Sequence, residues 1–205
     1  SNVLSSRTVL ELRGIPCIPI EIKTSKRKSC VVSRSFGVRV EKFQELEEAV
    51  TGYCLNASEK IRAELLIAKS ITVSVRTSPF QNRGVYYSNV KTIDFPIATN
   101  NSIEMVKTAL VALNEIFIDG YRYQKVGITL AGLTGSDGNK NLFSSEKDEK
   151  INTLMRSIDS TNYRYGRSTL SLASAGVNKR WNMKRDHSSK INTADFHSLP
   201  IIKAI

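Results

Sequence analysis

The sequence is poor in the residues that build metal sites and covalent staples. Its 205 residues include 3 cysteines and 2 histidines. Cys17, Cys30 and Cys54 are unevenly spaced without a C-x-x-C pair, and His187 and His197 lie far from them. That spacing excludes a recognisable zinc site, and the odd count excludes a closed disulfide framework. Reduced, partly buried thiols in a cytoplasmic protein are expected. Long apolar runs are also missing. None approaches the roughly 20 residues that span a bilayer, and no apolar stretch follows a basic start as in a signal peptide. There is no Gly-rich phosphate loop ending in Lys-Ser/Thr, no H-E-x-x-H and no G-x-S-x-G. Two-metal phosphoryl transfer needs carboxylates converging on two ions, yet the acids near strands, Asp94 and Asp119, stand apart at element ends. No catalytic residue, metal ligand or cofactor is expected in this chain. Ser1-Asn2 reads as the scar of a removed tag and no initiator Met is present, so an excised piece of a longer protein is expected.

What the chain does have is positive charge. Lys and Arg number 30 against 19 Asp and Glu, a formal net charge of +11. Such an excess attracts polyanions, most often nucleic acid. Part of it is concentrated in one run, Lys23, Lys26, Arg27, Lys28, Arg34 and Arg39, with no acid from Lys23 until Glu41. Before that run, Pro16 and Pro19 resist helix, and the segment after about Arg13 reads as an extended tether.

Periodicity then changes along the chain. Cys30 to Ser35 reads as a short strand. Phe43, Leu46, Val50, Tyr53, Ala57, Ile61 and Leu65 step by three or four and form one face of a long helix. Its acids Glu41, Glu45, Glu47 and Glu48 come first and its bases Lys60 and Arg62 last, matching the helix dipole. Ile71, Val73 and Val75 alternate with polar residues as a half-buried strand. A turn at Ser78-Pro79 and Gln81 to Gly84 leads to a second strand, roughly Val85 to Phe95. Asn101 with Glu104 forms a capping box for a helix with the face Ile103, Val106, Leu110, Leu113 and Phe117, closed by Gly120. Val126, Ile128 and Leu130 alternate in a last strand. This order is the βαββαβ, ferredoxin-like split β-α-β arrangement of an α+β domain. Two amphipathic helices must cover one face of a four-stranded sheet, leaving the other open, with Arg76 and Lys125 pointing to it. From Gly132 the pattern gives way to a flexible polar linker. Beyond it lie a short helical pattern (Ile151, Leu154, Met155, Ile158), a turn-rich stretch from Tyr163 to Gly166, and an expected strand from Ser168 to Ala173.

Several strings, in order, resemble the UmuC-type catalytic subunits of bacterial DNA polymerase V and their plasmid relatives, in the Y family of translesion polymerases. They are Ser33-Arg34-Ser35-Phe36-Gly37, Thr77-Ser78-Pro79-Phe80, Tyr86-Tyr87 with Asn89, and Tyr121-Arg122-Tyr123-Gln124-Lys125 with Gly127. Asn141-Leu142-Phe143, Gly166-Arg167 with Thr169-Leu170, and Trp181 with Met183-Lys184-Arg185 complete the series. The resemblance implies a division into a tag scar, thumb remnant and tether (1–23), a DNA-binding little finger (24–132), a linker with a clamp-binding motif (133–150) and a small C-terminal module (151–205). It implies that palm carboxylates, with their Mg²⁺, belong to the parent polymerase and not to this chain. It also implies that the open sheet lies on primer–template DNA in error-prone synthesis during the SOS response. The implied partners are the sliding clamp and, for the whole enzyme, a UmuD′-type subunit and RecA. Candidate DNA contacts are Lys28, Ser33, Arg34, Ser35, Arg76, Thr77, Arg83, Tyr86 and Lys125. The candidate clamp motif is Asn139, Lys140, Asn141, Leu142 and Phe143. It departs from the family's Q-L-x-L-F, with Asn139 one methylene shorter than Gln and Lys140 in place of an apolar residue. Two rival readings remain: an RRM-like RNA-binding module, which shares this element order but needs aromatics on its central strands, and a protein-interaction scaffold, which has no use for the excess charge.

Overall fold

Runs with period two become strands and runs with period 3.6 become helices in the computed structural model, which describes residues 2–18, 27–80, 86–136, 146–177 and 180–183. The elements that build the sheet domain are β1 (Ser29–Val40), α2 (Phe43–Ala63), β2 (Leu66–Thr77), β3 (Ser88–Thr99), α3 (Ser102–Ile116) and β4 (Tyr123–Ala131), preceded by α1 (Val3–Leu12). The sheet runs β1-β4-β2-β3 with every pairing antiparallel, and a two-residue strand, β5 (Thr134–Gly135), pairs onto the start of β2. Both βαβ units are therefore split: β4 lies between β1 and β2, and β2 lies between β3 and β4. This is the expected α+β arrangement, with β4 and β2 at its centre.

One face of the sheet is the core. Across it Val32, Ile128 and Val73 share a row, as do Cys30, Leu130 and Ile71, and all are buried. Against them α2 sets Leu46, Val50, Tyr53, Ala57 and Ile61, the expected stripe. Leu65 departs from it. The helix ends at Ala63, and Leu65 turns outward with φ 54° and is exposed. The face of α3 is rotated slightly from the expected one, centred on Met105, Ala109, Ala112 and Ile116. Its cap forms as expected, with Asn101 Oδ1 accepting from the Ile103 amide at 3.0 Å. The Asn101 amide, however, donates to Thr99 Oγ1 at 3.1 Å instead of to Glu104. Gly120 does not close α3, which stops at Ile116. It takes φ +83° in the turn into β4, where a side chain is strained.

Other elements depart from expectation. α1 is a helix where no element was expected. It ends at Leu12, before Pro16, and buries none of its residues. β1 is longer than its apolar core suggests, because pairing with β4 continues past a register irregularity between Ser35 and Val40. α4 spans Glu146–Tyr165, starting inside the stretch read as linker. Ser168 to Ala173 is not a strand. Asn162 captures both backbone groups of Leu170, its Oδ1 accepting at 2.8 Å and its Nδ2 donating at 3.0 Å to the carbonyl. The chain there turns into a short 3₁₀ helix, Ala173–Ala175.

Among the described residues this C-terminal region meets the sheet domain in several places: the 3₁₀ helix Ala173–Ala175 packs on α2, Leu172 packs on the core, and two further contacts are specific. Arg62 of α2 forms a forked pair with Asp159 of α4 at 2.7 and 2.8 Å, and its remaining arm reaches the Asn100 carbonyl at 2.8 Å and Ser102 Oγ at 2.7 Å. The segment 180–183 lies along β1. The Gly37 amide donates to the Trp181 carbonyl at 2.9 Å, and the buried indole meets Phe36 and Tyr53 edge-on.

Candidate nucleic-acid interface

The side chains opposite the helices follow from the pleat, because alternate residues of paired strands share a face. Four rows cross this face, which is bare in that no described helix covers it: Ser35–Lys125–Arg76–Ser88, Ser33–Gly127–Ser74–Val90, Val31–Thr129–Thr72–Thr92, and Ser29–Ala131–Ser70–Asp94. Small hydroxyl residues dominate, and no position in these rows is aromatic. Lys125 and Arg76 both lie on this face, as expected, and the register makes them direct neighbours. Among the described residues neither is in an ion pair. The acid of this face, Asp94, sits in the row at the other end. The face is thus electrostatically polarised along the strands.

At its centre is a shallow depression of about 190 Å³ whose walls include Ser33, Ser74, Arg76, Ser88, Lys125 and Thr129, with Gly127 between them. A Cβ on Gly127 would come within 2.8 Å of the Ser33 Cβ and 3.0 Å of Ser74 Oγ. Glycine in the middle of a strand keeps this floor low. Ser74 Oγ is tethered to the Gly127 carbonyl at 3.3 Å.

The structure brings Ser33, Ser35, Arg76 and Lys125 together on this face. Tyr86 is exposed two residues before β3 enters beside Arg76. Three other candidates fall elsewhere. Arg34 has the opposite parity to its neighbours: it shares a row with Val126 and Val75, whose side chains are buried under the helices. It therefore emerges on the helix side, near Tyr53, whose phenol is raised by burial and only partly offset by this cation. Thr77 is only 1% exposed. Its Oγ1 accepts from the Tyr87 amide at 2.9 Å and fastens the entry to β3, so it has no surface to offer a ligand. Lys28 is exposed but lies beyond the far end of β1, roughly 20 Å from the Lys125 row at a strand's rise per residue. Arg83 and the motif Asn139, Lys140, Asn141, Leu142 and Phe143 lie outside the described residues. Ser74, Ser88 and Gly127 were not foreseen as parts of the site. A glycine inside an alternating strand was the one available signal of close approach, and the cross-strand partners depend on register.

Nothing on this face gathers carboxylates. Among the described residues no group of His, Cys, Asp and Glu is arranged to hold a metal ion, and no helix is long and apolar enough to cross a membrane. Asp94 lies within β3, which runs on to Thr99, and not at a strand end as expected. The Cys30 and Cys54 thiols are buried, which raises both above the ordinary thiol value, so neither is poised as a nucleophile. Burial likewise pushes the Tyr53 phenol up to about 12.

A split βαβ sheet with one face sealed by helices and the other bare, hydroxyl-lined and cationic at one end defines an α+β module that presents a surface. The family described as the impB/mucB/samB family C-terminal domain matches residues 27–142, more than half of the chain. The chain belongs to that family. A domain of unknown function (DUF4113) matches residues 152–202. The chain is 36% identical to protein MucB of Salmonella typhimurium over 201 residues, 98% of this chain and 48% of that protein. Protein UmuC of the same organism is 35% identical over 204 residues, again 98% of this chain and 48% of the relative. Protein ImpB is similar at 34% over 204 residues, with 98% and 48% covered. The chain spans about half the length of these relatives.

Proposed function

We propose that this chain is the DNA-gripping and clamp-tethering part of an error-prone translesion DNA polymerase. The observation that carries the reading is the composition of the bare face: serines, threonines and an adjacent Arg76–Lys125 pair, with no aromatic among the positions that the central strands present there, the Tyr123 at the start of β4 being buried. Hydroxyls and cations contact phosphate and sugar, which positions a duplex without reading its sequence. Base-stacking RNA modules need aromatics on those same strands, so the RNA reading is disfavoured. Polymerase chemistry, and the Mg²⁺ it uses, is assigned to the portion of the polypeptide that this chain does not span. UmuD′-type and RecA partners likewise belong to the whole enzyme.

On this reading Ser33, Ser35, Ser74, Ser88, Arg76 and Lys125 form the grip, with Tyr86 beside it. Fluorescence anisotropy with a labelled primer–template duplex tests it. Log K is expected to fall against log salt with a slope of about −0.9 per phosphate neutralised. Reversing charge with Arg76→Glu and Lys125→Glu should weaken all duplex sequences alike, whereas Arg34→Glu should change binding far less. Equal losses from Arg34→Glu would sink the assignment of the bare face.

The second half of the proposal rests on the sequence from Asn139 to Phe143, an apolar pair in a polar stretch. Leu142 and Phe143 are the anchors for a pocket on the sliding clamp, and Asn139, Lys140 and Asn141 set register. Burial of each anchor contributes roughly 1.5–3 kcal/mol. Leu142→Ala with Phe143→Ala should abolish clamp binding in calorimetry and leave the melting temperature nearly unchanged. A large loss of thermal stability instead would mean that the pair packs against its own chain.

A further inference from the structure

We propose that the C-terminal end of α4 is a second nucleic-acid site, specific for single-stranded DNA and separate from the sheet face. Three observations carry it, and none depends on the reading of the sheet. First, Tyr163 is 93% and Tyr165 66% exposed at the end of α4, where two uncovered aromatic rings forgo the burial they would gain against a partner. Second, the sequence around the rings is cationic, although Glu59 of α2 lines the pocket that Arg167 also lines. Arg164 lies over the Tyr165 ring at 5.3 Å, Arg167 follows, and from Ser160 to Arg185 the sequence holds Lys and Arg but no Asp or Glu. The acid just before this stretch, Asp159, is committed to Arg62. Third, the tip is held in shape. Asn162 brackets Leu170, Thr169 Oγ1 donates to the Gly166 carbonyl at 2.7 Å, and the turn keeps positive φ at Gly166 (107°) and at Ser168 (65°). Positive φ at a serine is a cost that persists only where its surroundings impose it.

The spacing selects the ligand. A docking face for a protein partner on a helix repeats at three or four residues. Tyr163 and Tyr165 are two apart, so they flank the helix end on different sides, with Arg164 between them. Aromatic, cation, aromatic along a strand is how sequence-tolerant single-strand binders work. Each base has a face to stack, and the cations follow the phosphates. Because α4 packs through Arg62 against α2, it lies on the helix side of the sheet, away from the bare face. A duplex on the sheet and a single strand on this tip would not compete for one surface.

Anisotropy of the whole chain with fluorescein-labelled oligodeoxythymidylate, beside a duplex of equal length, tests the proposal. Tyr163→Ala with Tyr165→Ala should weaken single-strand binding about tenfold or more and leave the duplex unaffected, while Tyr163→Phe with Tyr165→Phe retains binding because the ring does the stacking. Arg164→Gln with Arg167→Gln should flatten the single-strand salt slope by about 0.7 per lost contact. Arg76→Glu with Lys125→Glu should do the reverse, weakening duplex and sparing the single strand. Failure of the sheet reading and failure of this one are thereby distinguishable. In the unmodified chain, photo-crosslinking with bromodeoxyuridine-substituted single strands should label Tyr163 or Tyr165. Unchanged oligonucleotide binding by the double alanine variant overturns the site. So does crosslinking only on the sheet, or a variant that keeps single-strand binding and loses only capture of a protein.

Discussion

Gly37 is a glycine for a reason outside its own backbone. A Cβ there would stand 2.8 Å from the Asn182 carbonyl oxygen and 2.9 Å from the Met183 Cα. Both are main-chain atoms and cannot swing aside. Trp181, whose carbonyl takes the Gly37 amide, buries its indole between Phe36 and Tyr53. Among the described residues the indole Nε1 and the Tyr53 hydroxyl have no hydrogen-bond partner, so the dock is apolar in character and carries a desolvation cost. Gly37→Ala should therefore lift the segment away at a cost of about 1–3 kcal/mol, the usual range for overpacking. The lone tryptophan reports it directly: its emission should shift to the red in the variant. An unshifted spectrum with unchanged stability would mean the segment accommodates a methyl and is loosely held. Residue identity at this scale was partly legible. Ser33, Arg34 and Ser35 were all read as contacts, although strand parity alone puts the outer two on one face and Arg34 on the other. The partner of Gly37 was not legible, because it lies more than a hundred positions away in sequence.

Among the elements, α4 owes its place to Arg62. That guanidinium is largely buried, with its fork on Asp159 and its remaining arm on Asn100 and Ser102. Arg62→Ala should lower stability by about 2–3 kcal/mol in urea unfolding, since it strands a partly buried carboxylate and two acceptors. Arg62→Lys should restore little of this because an ammonium cannot bridge both oxygens. In a double-mutant cycle with Asp159→Asn the combined loss should be clearly less than the sum. Strict additivity would mean α4 is held by its apolar contacts instead. Elements with one buried stripe were the legible ones. α2, α3, β2 and β4 each repeat apolar residues at their own period, so burial is written into the spacing. Among the described residues α1 buries none of its own, so nothing there demands such a stripe. β1 mixes Arg34, Gly37 and Arg39 into its run, because its far half serves as a ledge for the segment around Trp181. The alternation from Ser168 to Ala173 imitated a strand until Asn162 took the backbone groups a strand would need.

At the scale of the molecule, two family regions meet in one core. The first match ends at residue 142 and the second begins at 152, yet Trp181 of the second belongs to the hydrophobic cluster of the first. The boundary drawn by sequence similarity is therefore not a boundary of packing. The net charge of +11 is also unevenly used. It concentrates at one end of the bare face and again beyond Asp159, so association with a polyanion can be oriented instead of diffuse. The seat of Trp181 has one more consequence. β1 is an outermost strand, and such a strand presents amides and carbonyls that any foreign strand can copy, which is a common start of aggregation. By taking the Gly37 amide for itself, the C-terminal segment covers part of that exposed template, so the module that follows the sheet domain also guards its solubility.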